Sequence, residues 1–392
     1  MKLREKYDVV VVGGGPAGCI AARNLAREGV SVLLVEKDPD IGTPVRCAEG
    51  VELRHVHKYV EVTRELYTTE PFTGVSAFAP DGTEVEMEGF TEGVVLERKL
   101  FDRRLAEEAA LAGALIETGV EADGARREDG DAGVSLRGYG EVRTHVVIGA
   151  DGIESRTGRW LGIDTAADRE DMDTMAQYLL AGIDVATDRI QCFYGSEVAP
   201  RGYLWIFPKG PHMANFGIGV GAGFCPFEYL DRARERMFPD SSVIGRTQGG
   251  AIVSGGLDRI AGDNVVLIGD AAHHTDPITG GGIINALNAG TTAARHVAEA
   301  IRDGDYSEKR LSRYQKEWHK TKGKGLRLAK RAQDILCELS DDQANAIAAS
   351  VNRLPPEERT YGAVMKRTLR DQPSLVLSML KAAFGSVPGG KS

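Results

Sequence analysis

The chain has 392 residues, 42% of them hydrophobic, and carries a formal net charge of −9. This length suffices for more than one hydrophobic core, so two or three domains are expected. The acidic balance argues against nucleic acid as the main partner. Five scattered cysteines without a Cys-x-x-Cys pair argue against a disulfide framework, a zinc site and an iron-sulfur cluster, and they suit a reducing cytoplasm. With no signal peptide and no run of ~18 apolar residues, any membrane contact is expected to be peripheral.

The first predicted element is a short apolar strand, Val9 to Val12, which leads into Gly13-Gly14-Gly15-Pro16-Ala17-Gly18 and a helix over 19–27. This is the G-x-G-x-x-G pattern, in which glycines let the backbone approach a pyrophosphate at a helix N-terminus. The next strand, 31–35, ends in Glu36, whose carboxylate can accept a hydrogen bond from an adenosine ribose. The fingerprint alone fits NAD, NADP or FAD. The residues predicted to line the phosphate site are Gly13, Gly15, Ala17 and Gly18.

Two later strands also end in glycine. Val146 to Ile148 precedes Gly149-Ala150-Asp151-Gly152, and Val265 to Ile268 precedes Gly269-Asp270-Ala271-Ala272. An aspartate at the end of a buried strand lacks an evident partner unless it meets a polyol such as the ribityl chain of FAD, although Asp270 could also cap a helix. The glycine-rich run that follows leads into a predicted helix, 283–300, whose N-terminal amides would face the flavin ring. For His273 and His274, between Asp270 and this run, a structural or loop role is expected.

An antiparallel sheet is predicted for 73–87 and 174–221, where apolar and polar residues alternate between turns. Within it, Tyr203, Trp205 and Phe207 alternate along one strand and therefore point to one face. Such a face can be ordinary core or one wall of a substrate pocket.

Basic residues crowd 309–331, a predicted helical stretch broken only by Gly323 and Gly325. A lipid surface or phosphate headgroup would suit this segment, and a solvated helix face would explain it equally well. The amphipathic end of the chain, 375–384, could close over a hydrocarbon ligand or pack on the rest of the protein.

These segments together resemble the glutathione-reductase-like FAD fold of the para-hydroxybenzoate hydroxylase type, over most of the chain. Leu96 to Asp102 is similar to the Arg-x-x-Phe-Asp segment of that superfamily, which places Arg98 close to FAD. Two further segments resemble the geranylgeranyl reductases: Tyr203-Leu204-Trp205-Ile206-Phe207-Pro208 with Gly217-Ile218-Gly219, and the cysteine-bearing loop Pro44-Val45-Arg46-Cys47-Ala48-Glu49-Gly50 of the archaeal enzymes. One departure is Ala48, where many relatives have glycine.

The resemblance implies an α/β fold, α+β overall, with three parts. A discontinuous Rossmann-like FAD-binding domain would comprise 1–70, 93–160 and 245–305, an antiparallel-sheet substrate domain 71–92 and 161–244, and a helical C-terminal region 306–392. The cofactor implied is FAD, and no metal is expected. The residues implied to contact FAD, besides the phosphate-site glycines and Glu36, are Arg46, Cys47, Ala48, Gly50, Arg98, Ala122, Asp151, Asp270, Gly282 and Ile283.

The resemblance also implies the activity: hydride transfer from reduced FAD to the double bonds of geranylgeranyl chains in archaeal ether lipids. Cys47 is then the candidate proton donor or alkene positioner, or a small hydrophobe that lines the pocket, and Tyr203 and Trp205 belong to the substrate pocket. Arg46 could bind FAD, bind a headgroup phosphate or lie at the surface. The alternatives are an FAD-dependent monooxygenase, a prenyl-diphosphate or chlorophyll-type reductase, and a lipid-carrying flavoprotein. The electron donor stays open between ferredoxin, NADPH and another reductant.

Overall fold

The structure, a computed structural model, describes residues 3–359, except for the side chains of 88–91, and residue 370. The predicted amphipathic stretch at 375–384 lies outside the described residues. The strands are β1 Lys6–Val12, β2 Val32–Glu36, β3 Gly50–Glu52, β4 Phe72–Phe78, β5 Glu84–Val95, β6 Leu115–Thr118, β7 Ala122–Glu128, β8 Asp131–Leu136, β9 Gly140–Gly149, β10 Met172–Ala181, β11 Arg189–Phe193, β12 Tyr203–Pro208, β13 Met213–Val220, β14 Ser242–Ile252, β15 Ala261–Gly262 and β16 Val265–Leu267. The α-helices are α1 Pro16–Arg27, α2 Leu53–Val56, α3 Arg98–Leu111, α4 Thr157–Trp160, α5 Pro226–Met237, α6 Ile283–Asp303, α7 Glu308–Trp318, α8 Lys324–Cys337 and α9 Asp341–Val351.

The first sheet has the order β15-β16-β9-β1-β2-β6, with β7 and β8 added as antiparallel strands beside β9. Strands β16, β9, β1, β2 and β6 are parallel, so their carboxyl ends meet at one edge. Strand β1 is buried from Val9 to Val12, as expected for a parallel strand that helices cover on both faces. This sheet explains the continuous apolar runs in the sequence.

Helices α1 and α6 pack closely beside this sheet. A Cβ atom on Gly290 would lie only 2.5 Å from the carbonyl oxygen of Ala17 and 2.4 Å from Ile20, so glycine is required there. Near the helix starts, a Cβ atom on Gly269 would lie 3.0 Å from that of Ala17. The N-termini of both helices therefore lie at the carboxyl edge of the sheet.

The second sheet has the order β14-β10-β13-β12-β11-β4-β5-β3 and is antiparallel except for the β11–β4 pair. Alternate residues of β12 enter different cores. Leu204 and Ile206 pack in one cluster, while Trp205 and Phe207, with Tyr203 at its margin, pack in another. The alternation predicted for this strand is confirmed.

Sheet membership differs from the prediction at three strands. Residues 245–252, expected to return to the FAD domain, lie in β14, which pairs with β10 at the edge of the second sheet. Strand β3 and the last residues of β5 also belong to the second sheet, although 1–70 and 93–160 were assigned to the FAD domain. Glycines in β14 weaken the apolar alternation that marks a strand, so the sheet to which β14 belongs is set by its pairing with β10.

The basic C-terminal helix is not interrupted as its glycines suggested. Helix α7 continues through a five-residue π-helix, His319–Gly323, into α8. A Cβ atom on Gly323 would lie 2.9 Å from Nδ1 of His319, so this glycine permits a close contact. Gly325 lies inside α8, where its conformational cost of about 1 kcal/mol is outweighed by packing of the buried helix face.

Candidate flavin and substrate site

The loop after β1 is shaped for a phosphate. Gly13 has a positive φ of 109°, and a Cβ atom on Gly18 would lie 1.9 Å from the Gly13 carbonyl oxygen, so both positions require glycine. A Cβ atom on Gly15 would instead meet nothing within 4 Å. Helix α1 begins without a side-chain cap and without an acidic residue in its first turn. Its free N-terminal amides beside the open space at Gly15 fit a diphosphate.

Glu36 ends β2 next to this loop. Its carboxylate accepts hydrogen bonds from the backbone N–H of Gly14 at 2.6 Å and of Asp38 at 2.9 Å. The chain passes Glu36 again just before β7, where Val120 N–H donates to the Glu36 carbonyl two residues ahead of Ala122. Glu36 and Ala122 thus lie beside the phosphate loop, in a position that suits the adenosine half of a dinucleotide.

Asp270 lies in the turn directly after β16. Its Oδ1 accepts from Thr275 Oγ1 at 2.9 Å and lies 3.3 Å from the position of a Cβ atom on Gly282. Burial raises the pKa of Asp270. Helix α6 then begins at Ile283, again without a side-chain cap or a first-turn acid. A carboxyl group with one oxygen committed, beside an uncapped helix N-terminus, fits a polyol and an electron-rich ring edge.

Asp151 contributes differently from Asp270. Its carboxylate accepts four hydrogen bonds, from Ser155 Oγ, Arg156 N, Thr157 N and Thr157 Oγ1, at 2.7 to 3.0 Å. These bonds fix the turn that leads into α4. Both carboxylate oxygens are therefore used within the turn itself. The FAD contact expected at Asp151 would have to come from its backbone.

Arg98 lies beside Cys47, since its backbone N–H donates to Glu49 Oε1 at 2.8 Å. Arg98 is the first residue of α3 and forms a bidentate ion pair with Asp102, with both bonds at 2.8 Å. Burial raises the pKa of the Cys47 thiol, and the Arg98 charge opposes that rise. Arg46, one residue earlier, is exposed and makes no ion pair with any residue in the described ranges.

Residues of the second sheet bind the segment Cys47 to Glu49, called the cysteine loop below. Gln177 on β10 donates its amide to the Cys47 carbonyl at 3.0 Å, and Asn215 on β13 donates to the Ala48 carbonyl at 3.2 Å. Lys209, directly after β12, donates to Glu49 Oε2 at 2.5 Å. Three side chains from neighbouring positions of the sheet therefore hold three consecutive loop residues.

The aromatic side chains of β12 lie over both loops. Tyr203 donates its hydroxyl to the Thr279 carbonyl at 2.6 Å, in the glycine-rich loop before α6. Trp205 donates to Gln177 Oε1 at 3.0 Å and so connects to the cysteine loop. Phe207 packs against Gly50, where a Cβ atom would lie 2.5 Å from the phenyl ring. The structure thus brings Cys47, Tyr203 and Trp205 together as one apolar-walled site.

The two histidines after Asp270 are structural. His273 accepts from Ser254 Oγ at 2.9 Å and donates to the Thr165 carbonyl at 3.3 Å. His274 is buried and stacks on Trp318 with ring centroids 3.7 Å apart. Burial lowers the pKa of both rings, so they are neutral at pH 7.

Sequence reasoning missed the groups that hold the cysteine loop: Gln177, Lys209, Asn215 and the carboxylate of Glu49. The available signal was a polar residue at a site-facing strand position, since Gln177 and Asn215 share the face of Trp205 and Phe207. Their partners are 130 and 167 residues away in the chain. No local pattern connects such positions.

The fold and these loops define an FAD-binding flavoprotein with a second sheet over the cofactor site. A family model described as an FAD-binding domain matches residues 6–197, and one described as the geranylgeranyl reductase catalytic domain matches 171–251. The digeranylgeranylglycerophospholipid reductase of Methanosarcina mazei is 43% identical over 89% of both chains. That of Methanocella arvoryzae is 39% identical over 96% of this chain and 99% of its own. The chain belongs to this reductase family.

Solved structures agree. A geranylgeranyl bacteriochlorophyll reductase-like protein from Thermoplasma acidophilum is similar with a TM-score of 0.90 and 35% identity, covering 96% of this chain and 99% of that one. The halogenase PltM, solved with phloroglucinol and FAD, has a TM-score of 0.68 at 15% identity, covering 97% of this chain and 86% of its own. The latter likeness shows the fold alone.

Proposed function

We propose that this chain is the flavin-dependent reductase that saturates the geranylgeranyl chains of ether phospholipids. The observation that carries the proposal is the aromatic face of β12, which lies against the cysteine loop and the glycine-rich loop before α6. An isoprenoid chain needs an apolar wall, and its double bond must be held in register with the cofactor in a water-poor slot. The names of the relatives supply the substrate class.

FAD would be held along the carboxyl edge of the first sheet. Gly13, Gly15, Ala17 and Gly18 would hold the diphosphate, Glu36 would bind the ribose, and Ala122 with the Asp151 backbone would lie on the adenine side. Asp270 would bind the ribityl chain, and Gly282 with the N-terminus of α6 at Ile283 would hold the flavin. The remaining contacts would come from Arg46, Cys47, Ala48, Gly50 and Arg98.

When bound and reduced, FAD would supply a hydride to one carbon of the double bond. The other carbon takes a proton, and the whole addition saturates the bond by two hydrogens. Cys47 is the candidate donor, because burial raises its pKa and keeps it a thiol, with the proton still on sulfur at neutral pH. Glu49 N–H donates to Cys47 Sγ at 3.2 Å, which leaves the S–H free to point elsewhere. The aromatic face positions the alkene, and Tyr203 stays protonated because burial raises its pKa.

The test is anaerobic incubation of dithionite-reduced, FAD-loaded enzyme with a digeranylgeranylglyceryl phospholipid, followed by mass analysis of the lipid. We expect a gain of two hydrogens for each double bond, without any requirement for oxygen. Cys47→Ser should slow the reaction while FAD stays bound, since a hydroxyl is a far weaker acid than a thiol. Cys225→Ser, at an exposed position, is the matched control.

Unchanged lipid with the wild-type enzyme would reject the reductase proposal. NADPH-dependent oxygen uptake with a hydroxylated product would instead identify a monooxygenase. Preference for a free prenyl diphosphate over the phospholipid would place the chain with the diphosphate reductases. If Cys47→Ser is as fast as wild type, only the proton-donor role is lost.

Peripheral membrane contact is the second part of the proposal. A row of exposed cations runs along α7 and α8 at helical spacing, with the exposed Leu328 among them, and none of these cations forms an ion pair within the described ranges. The opposite face of α7 is buried by Leu311, Tyr314 and Trp318. No helix within residues 3–359 is long and apolar enough to cross a bilayer. The exposed cations along α7, the π-helix and α8, called the basic stripe below, are Lys309, Arg313, Lys316, Lys320, Lys324 and Arg331.

Acidic residues on α7 do not cancel this charge. Glu308 pairs with Arg259 at 2.7 Å, and Glu317 is bound by Arg295 and His296. The stripe is therefore available to an anionic surface, where each cation contributes about 1 kcal/mol. A surface that carries the lipid substrate would bring its chains to the enzyme.

A further inference from the structure

Glu49 in the cysteine loop has an unfavourable backbone conformation. Its φ is 75°, in the left-handed region, and the residue is only 3% exposed. A residue other than glycine is strained in that region, because its Cβ atom crowds the backbone. The surrounding structure must therefore hold Glu49 in place.

The carboxylate of Glu49 provides that hold. Its Oε1 accepts from the Arg98 backbone N–H at 2.8 Å, while Oε2 accepts from Lys209 Nζ at 2.5 Å and from Asn215 Nδ2 at 2.7 Å. Lys209 is itself only 8% exposed and has a second partner, Glu97, at 3.1 Å. The pair connects the second sheet to the loop across 160 residues of sequence.

A buried ion pair is a poor source of stability, because desolvation of two charges cancels most of their attraction. An apolar pair of similar volume would often serve the fold as well. The Glu49–Lys209 pair has a distinctive neighbour instead: the Glu49 N–H donates to Cys47 Sγ at 3.2 Å. The Glu49 carboxylate therefore belongs to a residue that contacts the thiol directly, and Lys209 acts on the thiol through Glu49.

We propose that Glu49 and Lys209 are positioning residues that hold the cysteine loop in one conformation and that the Cys47 thiol senses the balance of their charges. The proposal extends the proposed function, on which it depends only for the chemical use of the thiol. Neither residue is assigned contact with the substrate; both act through Cys47.

The charged and titratable groups around Cys47 predict the direction of the effect. Burial raises its pKa most, the Arg98 guanidinium on α3 lowers it, and the Glu49 carboxylate raises it, with Tyr203 facing it from β12. Lys209→Met would leave the Glu49 charge uncompensated, which should raise the thiol pKa. Glu49→Gln would remove the carboxylate that raises the thiol pKa while Lys209 keeps its charge, so the thiol pKa should fall.

The test measures alkylation of Cys47 by iodoacetamide in the FAD-loaded enzyme at a fixed, mildly alkaline pH. Trypsin releases Cys47 in the peptide 47–54, which contains no other cysteine, so mass spectrometry follows this thiol alone. We expect the rate to fall about threefold or more in Lys209→Met and to rise by a similar factor in Glu49→Gln, because the thiolate is the reactive form. The Glu49→Gln/Lys209→Met double variant should return close to the wild-type rate.

Two controls separate charge from packing. Lys209→Arg keeps the cation and should alkylate at nearly the wild-type rate. Lys6→Met removes a 2.8 Å ion pair with Asp131 on the first sheet and should change nothing at Cys47. A merely structural role predicts a loosened loop, with faster alkylation in both single variants.

Faster alkylation in Lys209→Met, an unchanged rate, or a Lys209→Arg variant that behaves like Lys209→Met would each overturn the proposal. Turnover gives an independent measurement: kcat should fall about tenfold in Lys209→Met with FAD content unchanged. Alkylation that follows the expected pattern in an enzyme that leaves the lipid unreduced would uphold the pair and reject the proposed function.

Discussion

At the scale of single residues, a few side chains connect the aromatic face of the second sheet to the cysteine loop. Gln177 is the clearest case, since its amide accepts from Trp205 on one side and donates to the Cys47 carbonyl on the other. A glutamine can do both because its amide offers donor and acceptor at once. The orientation of the aromatic face and the position of the thiol are therefore coupled through one side chain.

Glu36 provides a prediction at this scale. Glu36→Gln keeps the volume but removes the charge that strengthens the hydrogen bond to the Gly14 amide and, in the FAD position proposed above, one to a ribose hydroxyl. We expect FAD to bind about tenfold more weakly, roughly 1.4 kcal/mol, in a fluorescence titration of apoenzyme. Glu28→Gln, just beyond the other end of α1, removes only a surface ion pair with Arg302 and is the control. Equal FAD affinity in Glu36→Gln and wild type would contradict the ribose assignment.

At the scale of elements, α7 packs against the segment that contains Asp270. Trp318 of α7 stacks on His274, and Tyr314 donates to the Leu267 carbonyl at the end of β16. Neither ring nitrogen of His274 has a hydrogen-bond partner among the described residues. A protonated His274 would therefore be a buried charge without compensation.

This arrangement predicts acid sensitivity. Burial lowers the pKa of His274 well below its ordinary value. Below a pH of about 6.5, the unfolded chain therefore binds a proton at this residue while the folded chain does not. The free energy of unfolding should then decrease with falling pH, measured from urea midpoints of FAD-saturated enzyme. His274→Leu should flatten that dependence, whereas His212→Leu, at an exposed position, should leave it unchanged. An equal slope in wild type and His274→Leu would reject this account.

At the scale of the whole molecule, the second sheet covers the cofactor edge of the first, and the basic stripe runs along the outside of α7 and α8. Attraction to an anionic bilayer is a sum over such charges and decays within a Debye length. The proposed membrane contact would thus depend on the whole surface and not on one site.

The stripe is tested by charge reversal. Lys320→Glu with Lys324→Glu should weaken binding to phosphatidylglycerol vesicles by about 2 kcal/mol or more, roughly thirtyfold, in a sedimentation assay. Arg232→Glu with Arg236→Glu, on α5, makes the same change of net charge elsewhere and should have little effect. An equal loss of vesicle binding in both double variants would mean that net charge alone governs binding, and the basic stripe would not be the membrane-binding surface.

Local sequence patterns were enough to predict the glycine loops at the carboxyl edge of the first sheet and the orientation of β12. Glycine turns after apolar strands are local features, dictated by backbone sterics, so the loops at Gly13, Gly149 and Gly269 could be predicted from neighbouring residues alone. Period-two alternation placed Tyr203, Trp205 and Phe207 on one face for the same reason.

The groups that hold the cysteine loop and the sheet to which β14 belongs follow from contacts between segments that are distant in the sequence. Lys209 and Glu49 are 160 residues apart, and their pairing depends on how the cysteine loop packs against β10, β12 and β13. Strand β14 is assigned by its ladder with β10, since its glycines leave little alternation to recognise. Hydrogen bonds between distant residues carry no local periodicity, so the resemblance of its loop to the archaeal reductases pointed to Cys47 but no feature of the sequence pointed to the charges that position it.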